Sequence, residues 1–146
     1  MGQPLIEDVF LRCDPTTAFD LLADVRNEAR WNKRVSAAEL RSEGPVGEGS
    51  RFVTVYLGRE NDVARREFNR AERMVVAGTN TMMDIHTTYT FTAENGGTRL
   101  VVTAEVRPKG LTSVLTPLLG VFLRRELPKE YATVKRACEN PDPSTD

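Results

Sequence analysis

Three features of this sequence carry side chains that could do chemistry in an enclosed site. Tyr56 and Tyr89 stand at strand-like positions. An inward phenol needs a hydrogen-bond partner and can orient the carbonyl or hydroxyl of a ligand. The stretch from Arg59 to Arg73 is dense in charge, with Arg65, Glu67 and Asn69 alternating with Arg66, Phe68 and Arg70. With the Arg65 and Glu67 face inward, the arginine could hold a carboxylate and the glutamate could act as acid or base. Phe68 is in the opposite phase and wants the core, so the expected reading is a solvated strand with cross-strand ion pairs. His86 is the only histidine, and imidazole titrates near neutral pH. It shares its phase with Thr88, Thr90 and Thr92, which places it on the wet face and argues against catalysis.

Other chemistries find no support. No His, Cys, Asp or Glu cluster has metal-ligand spacing, no Gly-rich loop opens a helix after a strand, and no Ser/His/Asp set stands out. The sequence implies no cofactor and assigns no catalytic residue. Lys and Arg number 20 against 21 Asp and Glu, a formal net charge of -1, so no global field draws the chain to nucleic acid. Cys13 and Cys138 are too few for a disulfide framework and are expected to be reduced thiols. No signal-peptide pattern opens the chain, no apolar run approaches the ~20 residues that span a bilayer, and Ile6 replaces the Ser or Thr of a myristoylation motif. The expectation is a cytoplasmic protein with no stable membrane insertion.

The elements that would position these groups follow from periodicity. Val9 and Leu11 at period two predict a first strand stopped by Asp14-Pro15. Asp14 as cap, Pro15 at the first helical position, and Ala18, Phe19, Leu22, Ala23 and Val25 at helical spacing predict a short helix to about Asp24. Helix formers from Arg26 to Lys33 predict a second short helical segment, with Trp31 as an anchor to the sheet.

From Val35 to Lys109 the period is two, punctuated by turn signals, which predicts an antiparallel meander of six strands. The strongest pair is Asp84 to Glu94 with Thr98 to Arg107, joined across Asn95-Gly96-Gly97. Ile85, Thr87, Tyr89 and Phe91 share one face of it, and Leu100, Val102, Ala104 and Val106 repeat the pattern. From Leu111 to Cys138 a broad apolar stripe predicts one long helix laid across the sheet. Pro117 would begin it after a lead-in turn, and Pro128 would kink or break it near Leu127. The Leu111 to Arg125 segment, apolar and ending in Arg124-Arg125, has the pattern of a membrane-lying helix, although core packing accounts for the same residues. Residues 140–146 read as a flexible tail after one domain of residues 1–139.

In this order the motifs have a family look. Asp14-Pro15 runs through Phe19-Asp20-Leu21-Leu22-Ala23-Asp24, followed by Asn27 to Asn32 and by Gly44-Pro45-Val46-Gly47-Glu48-Gly49-Ser50-Arg51-Phe52. Then come Tyr89-Thr90-Phe91, Gly97-Thr98-Arg99-Leu100 and the Leu111-to-Glu139 helix. The chain resembles the helix-grip superfamily of START domains, birch-pollen-allergen-like proteins and polyketide cyclase/dehydrases, often abbreviated SRPBCC, and its polyketide cyclase/dehydrase-like branch. The resemblance implies an α+β fold: a seven-stranded antiparallel sheet wrapped around a long C-terminal helix, with two short helices between strands 1 and 2. It also implies an elongated hydrophobic cavity between sheet and helix whose lining sets the function. Pro128 departs from similar members, which continue the last helix without it.

Alternation and helical spacing nominate Phe19, Phe52, Tyr56, Thr87, Tyr89, Phe91, Val102, Leu115, Leu118, Leu119 and Phe122 as cavity lining, each of which ordinary core packing would also explain. Three functions remain open. One is a noncatalytic carrier or sensor for a small lipid-like or aromatic molecule. Another is a cyclase/dehydratase-type enzyme without metal or nucleotide, which needs polar groups converging inside the cavity. The last is a protein-interaction module whose cavity is filled by its own side chains. The ligand and the oligomeric state are not legible.

Overall fold

The computed structural model describes residues 4–28, 32–56 and 58–139. Trp31 and the tail at 140–146, for which the sequence suggested an anchor and a flexible end, lie outside them. The chain enters through β1 (Leu5–Leu11), and Asp14 then caps α1 (Pro15–Ala23), its Oδ1 accepting from the Thr17 amide at 2.8 Å. Pro15 at the helix start has no N–H to leave unpaired, which is why the turn closes there. Asp24 repeats the device, accepting from the Arg26 amide at 3.0 Å and opening a 3-10 turn at Val25–Asn27. That turn is the described part of the second predicted helical segment.

Six strands follow: β2 (Val35–Leu40), β3 (Arg51–Tyr56), β4 (Arg59–Asn69), β5 (Arg73–Thr79), β6 (Met83–Glu94) and β7 (Gly97–Pro108). The sheet order is β1-β7-β6-β5-β4-β3-β2 with every neighbouring pair antiparallel, a meander closed by β1 against β7. The predicted hairpin is realised as a two-residue turn, with Asn95 at φ 48° and Gly96 at φ 79°. Two positive φ values match the twist of the flanking strands, and Asn-Gly is the pair that adopts them at least cost. At Gly97 an added Cβ would collide with the Leu11 carbonyl and the Phe10 ring, so β1 can lie this close only against glycine.

A 3-10 turn at Gly110–Leu115 leads into α2 (Thr116–Glu139), with Pro117 in the first turn as expected. The expected break at Pro128 does not occur, because α2 is one element through that residue. Pro128, Arg124 and Arg125 are all exposed. A proline at an exposed position removes one helix hydrogen bond on the solvent side without displacing core contacts.

One sheet face carries the core. Leu100, Val102, Phe91, Met74 and Leu11 are buried together with Ala18, Phe19 and Leu22 of α1 and Tyr131, Val134 and Cys138 of α2. Phe19 is the hinge of this packing, its ring 4.9 Å from Phe68 and 5.1 Å from Phe91. The expected pair of separate thiols is corrected here. Cys13, just past β1, and Cys138, in the last turn of α2, form a disulfide with Cα atoms 6.1 Å apart. The helix end returns to the end of β1, where the Arg12 amide also donates to Glu139 at 3.2 Å. A separation of 125 residues hides that meeting in the sequence.

Candidate functional site

Burial in α2 starts at Glu126: among its described side chains the buried ones are Glu126, Tyr131, Val134 and Cys138. The first half stands away from the sheet, with Leu118, Val121 and Phe122 exposed. On the sheet, the inner-face row Phe52, Val63, Gly78, Ile85 and Val106, matched across β3 to β7, is fully covered only at Phe52. The inner face of the sheet is thus partly open along this row and closed at the Phe19 end.

On the inner face beside the core, polar side chains converge. Arg65 on β4 is only 2% exposed. This corrects the reading of β4 as a solvated strand. The pairing runs Arg65 to Val76 and then Glu67 to Val75, so Arg66 is a bulge residue. One extra residue reverses the phase, which lets Arg65 and Phe68 share the inner face although three positions separate them. Glu67 is turned outward and pairs with Arg73 at 2.9 Å.

The Arg65 guanidinium closes the C-terminal end of α1. Its Nε donates to the Ala23 carbonyl at 2.9 Å, and Nη2 donates to Ala23 at 2.7 Å and Leu22 at 3.2 Å. These are carbonyls that a helix end leaves without intrahelical partners, and the positive charge suits the negative end of the helix dipole. The guanidinium also lies 5.1 Å over the Phe52 ring. Its remaining nitrogen, Nη1, is buried with no hydrogen-bond partner among the described residues. Burial lowers the Arg65 pKa, while Tyr89, Glu28 and Asp24 oppose that shift.

Around it stand weak acids whose pKa values burial raises. Glu28 has its carboxyl turned away from water, and desolvation, then the nearby Glu130 carboxylate, push its pKa up to about 7. Asn32 donates to it at 3.4 Å. The Tyr131 hydroxyl lies 3.3 Å from that of Tyr89. Burial pushes the Tyr89 phenol up to about 12 and raises Tyr131 as well. The Tyr56 hydroxyl donates to Glu130 Oε1 at 2.6 Å. Glu130 remains raised because desolvation outweighs that bond and the attraction of Arg34. Arg34 itself pairs with Glu126, which Lys129 also reaches at 3.2 Å.

The nominated lining residues divide into groups. Tyr56, Thr87 and Tyr89 are half-buried on the inner face, and both tyrosines join the polar cluster. Phe19, Phe91 and Val102 are buried in the main core, and Phe52 beneath Arg65. Leu118 and Phe122 are exposed, contrary to the packing expected of them. The side chains of Leu115 and Leu119 lie outside the described ones. Arg65, Glu28, Asn32, Glu130 and Tyr131 were not nominated: the bulge hid the first, and the helical stripe masked the polar neighbours of Tyr131. His86 is exposed on the outer face, as expected. It borders a shallow groove of about 890 Å³ there, with Arg51, Asp62, Arg66 and Glu105.

Tyr89, Tyr131, Arg65 and the raised carboxyls of Glu28 and Glu130 thus form one polar cluster at the edge of the core. A profile of the family described as polyketide cyclase/dehydrase and lipid transport matches residues 7–139. The chain belongs to this family. Solved structures agree on the helix-grip fold. Ara h 8.0201 superposes with a TM-score of 0.68 at 13% identity over 93% of this chain and 97% of its own. A START superfamily protein from Mycobacterium smegmatis gives 0.70 at 13% identity, covering 91% of this chain and 94% of that one. The di-domain ARO/CYC BexL from the BE-7585A biosynthetic pathway gives 0.73 at 16% identity, covering 96% of this chain and 51% of BexL. At such identities the likeness is one of fold. No curated protein matches the sequence. Family membership accounts for the architecture, a sheet gripping a C-terminal helix.

Proposed function

We propose that this protein binds a small, mostly apolar molecule carrying one oxygen-bearing end, in the cleft between the sheet and α2. The single observation behind the reading is Arg65 Nη1. A buried charged donor without an acceptor costs about 1–3 kcal/mol or more, and buried polar groups in folded proteins rarely remain so. A carbonyl, hydroxyl or carboxylate oxygen of a ligand would supply the acceptor, with Tyr89 and Tyr131 beside it to orient that end. The apolar remainder would lie along Ile85 and Val106 on the inner face of the sheet, where each buried CH₂ contributes about 0.8 kcal/mol. Calorimetric titration with a fatty acid, the matching alcohol and the matching alkane tests this. Affinity should follow the oxygen-bearing end and fall several-fold in Tyr89→Phe, and equal binding of the alkane would refute it.

Glu28 favours a second reading, a cyclase/dehydratase-type reaction. A carboxyl that titrates near neutrality can take a proton and return it at ordinary pH. With Arg65 Nη1 polarising a ligand carbonyl, Glu28 would remove the adjacent C–H proton. The carbanion would attack a second carbonyl of the same chain, and the returned proton would complete the alcohol; a second proton taken from the same carbon and passed to the departing hydroxyl would form the C=C bond and release water. Turnover of a poly-β-keto substrate that disappears in Glu28→Gln, with binding retained, separates this from simple carriage.

A further inference from the structure

The first half of α2 and the turn before it present an apolar face that the described chain leaves uncovered. Leu111 and Val114 on the turn, and Leu118, Val121 and Phe122 on the helix, are exposed, Leu111 by 89% and Leu118 by 68%. Positions 118, 121, 122 and 125 share one side of a helix. Arg125 therefore stands at the rim of the apolar face, with Arg124 next to it. Neighbouring Glu126 is already engaged by Arg34 and Lys129.

Charge decides what this face fits. From Val106 to Arg125 the chain holds Arg107, Lys109, Arg124 and Arg125 and no Asp or Glu, although the whole sequence has 21 acidic residues. A second copy seated on the same face would bring arginine against arginine with no acid in between. A bilayer with anionic headgroups offers the complementary arrangement: acyl chains for the leucines and Phe122, and negative charge for the arginine rim. No described helix is long and apolar enough to cross a membrane, so the contact lies in the surface plane. We infer that residues 111–125 form a peripheral docking face for anionic lipid bilayers. The inference stands on this exposed face alone and does not depend on the cleft's ligand.

The full chain is sedimented with vesicles of phosphatidylcholine mixed with phosphatidylglycerol, and with phosphatidylcholine alone. The expected result is co-sedimentation with the mixed vesicles at low salt, several-fold weaker on phosphatidylcholine and at high salt. The double variant Leu118→Asp/Phe122→Asp should lower binding roughly tenfold, with circular dichroism confirming an intact fold. Arg124→Gln/Arg125→Gln should reduce the preference for anionic vesicles. Independently, Val121→Cys labelled with an environment-sensitive dye should emit as an exposed probe in buffer and shift to the blue on mixed vesicles. No co-sedimentation, or binding indifferent to the Asp variants, overturns the inference. So does a label already blue-shifted in buffer, which means the face packs on its own sheet. A dimer in analytical ultracentrifugation that the Asp variants dissolve assigns the face to a second copy and overturns it too.

Discussion

The Tyr56 hydroxyl donates to Glu130 Oε1 at 2.6 Å, joining the end of β3 to the half of α2 that lies in the core. Desolvation raises both groups above their ordinary pKa values, so the pair is held as a neutral phenol donating to a carboxylate poorly served by water.

Removing that donor in Tyr56→Phe leaves Glu130 with less compensation for its burial. Stability should fall by about 1–2 kcal/mol, read from the urea midpoint. An unchanged midpoint would show that the helix does not depend on this tie.

Glu28 predicts a pH dependence of definite sign. Its folded pKa of about 7 lies above the ordinary 4.5 because burial disfavours the carboxylate. The folded state therefore binds this proton more tightly than the unfolded chain does. The stabilisation is complete below the ordinary pKa and is lost as pH rises through the folded one, a change of at most about 3 kcal/mol. Glu28→Gln cannot titrate, so it should gain on the parent between acidic and mildly alkaline pH. Parallel stability curves for the two proteins would contradict the assignment.

The Cys13–Cys138 disulfide ties chain positions 125 residues apart. Denatured, unreduced protein should show no free thiol, and reduction should cost about 3–5 kcal/mol by releasing that constraint on the unfolded chain. Two titratable thiols before reduction would restore the reading of separate cysteines.

Arg65→Lys keeps the charge and loses the planar fork. The two carbonyls at the end of α1 would lose part of their capping, with a stability loss of about 1–3 kcal/mol. Equal stability would mean that α1 closes without the guanidinium.

Local chemistry was legible where it is decided by neighbours in sequence. Asp14-Pro15 announces α1, and Asn95-Gly96 announces the β6-β7 turn, because cap and turn geometry need only a few adjacent residues. Alternation correctly placed Phe52, Phe91 and Val102 on the buried face. It failed at Arg65, because a bulge at Arg66 changes the phase and period-two reasoning assumes an unbroken ladder. Helical spacing failed differently at Leu118 and Phe122: it marks an apolar stripe without saying whether the rest of the chain covers it. The disulfide and the Tyr56–Glu130 bond were invisible because they depend on where α2 returns across the sheet.

The central claim is that the cleft holds a small apolar molecule by an oxygen-bearing end. Native mass spectrometry of freshly purified protein, against the same sample after denaturation, tests it most directly. The account predicts a retained compound, released on denaturation, with a long apolar or aromatic part and at least one carbonyl, hydroxyl or carboxyl oxygen. Repeated absence of any retained compound, with no thermal shift across lipids and polyketide-like molecules, would contradict it.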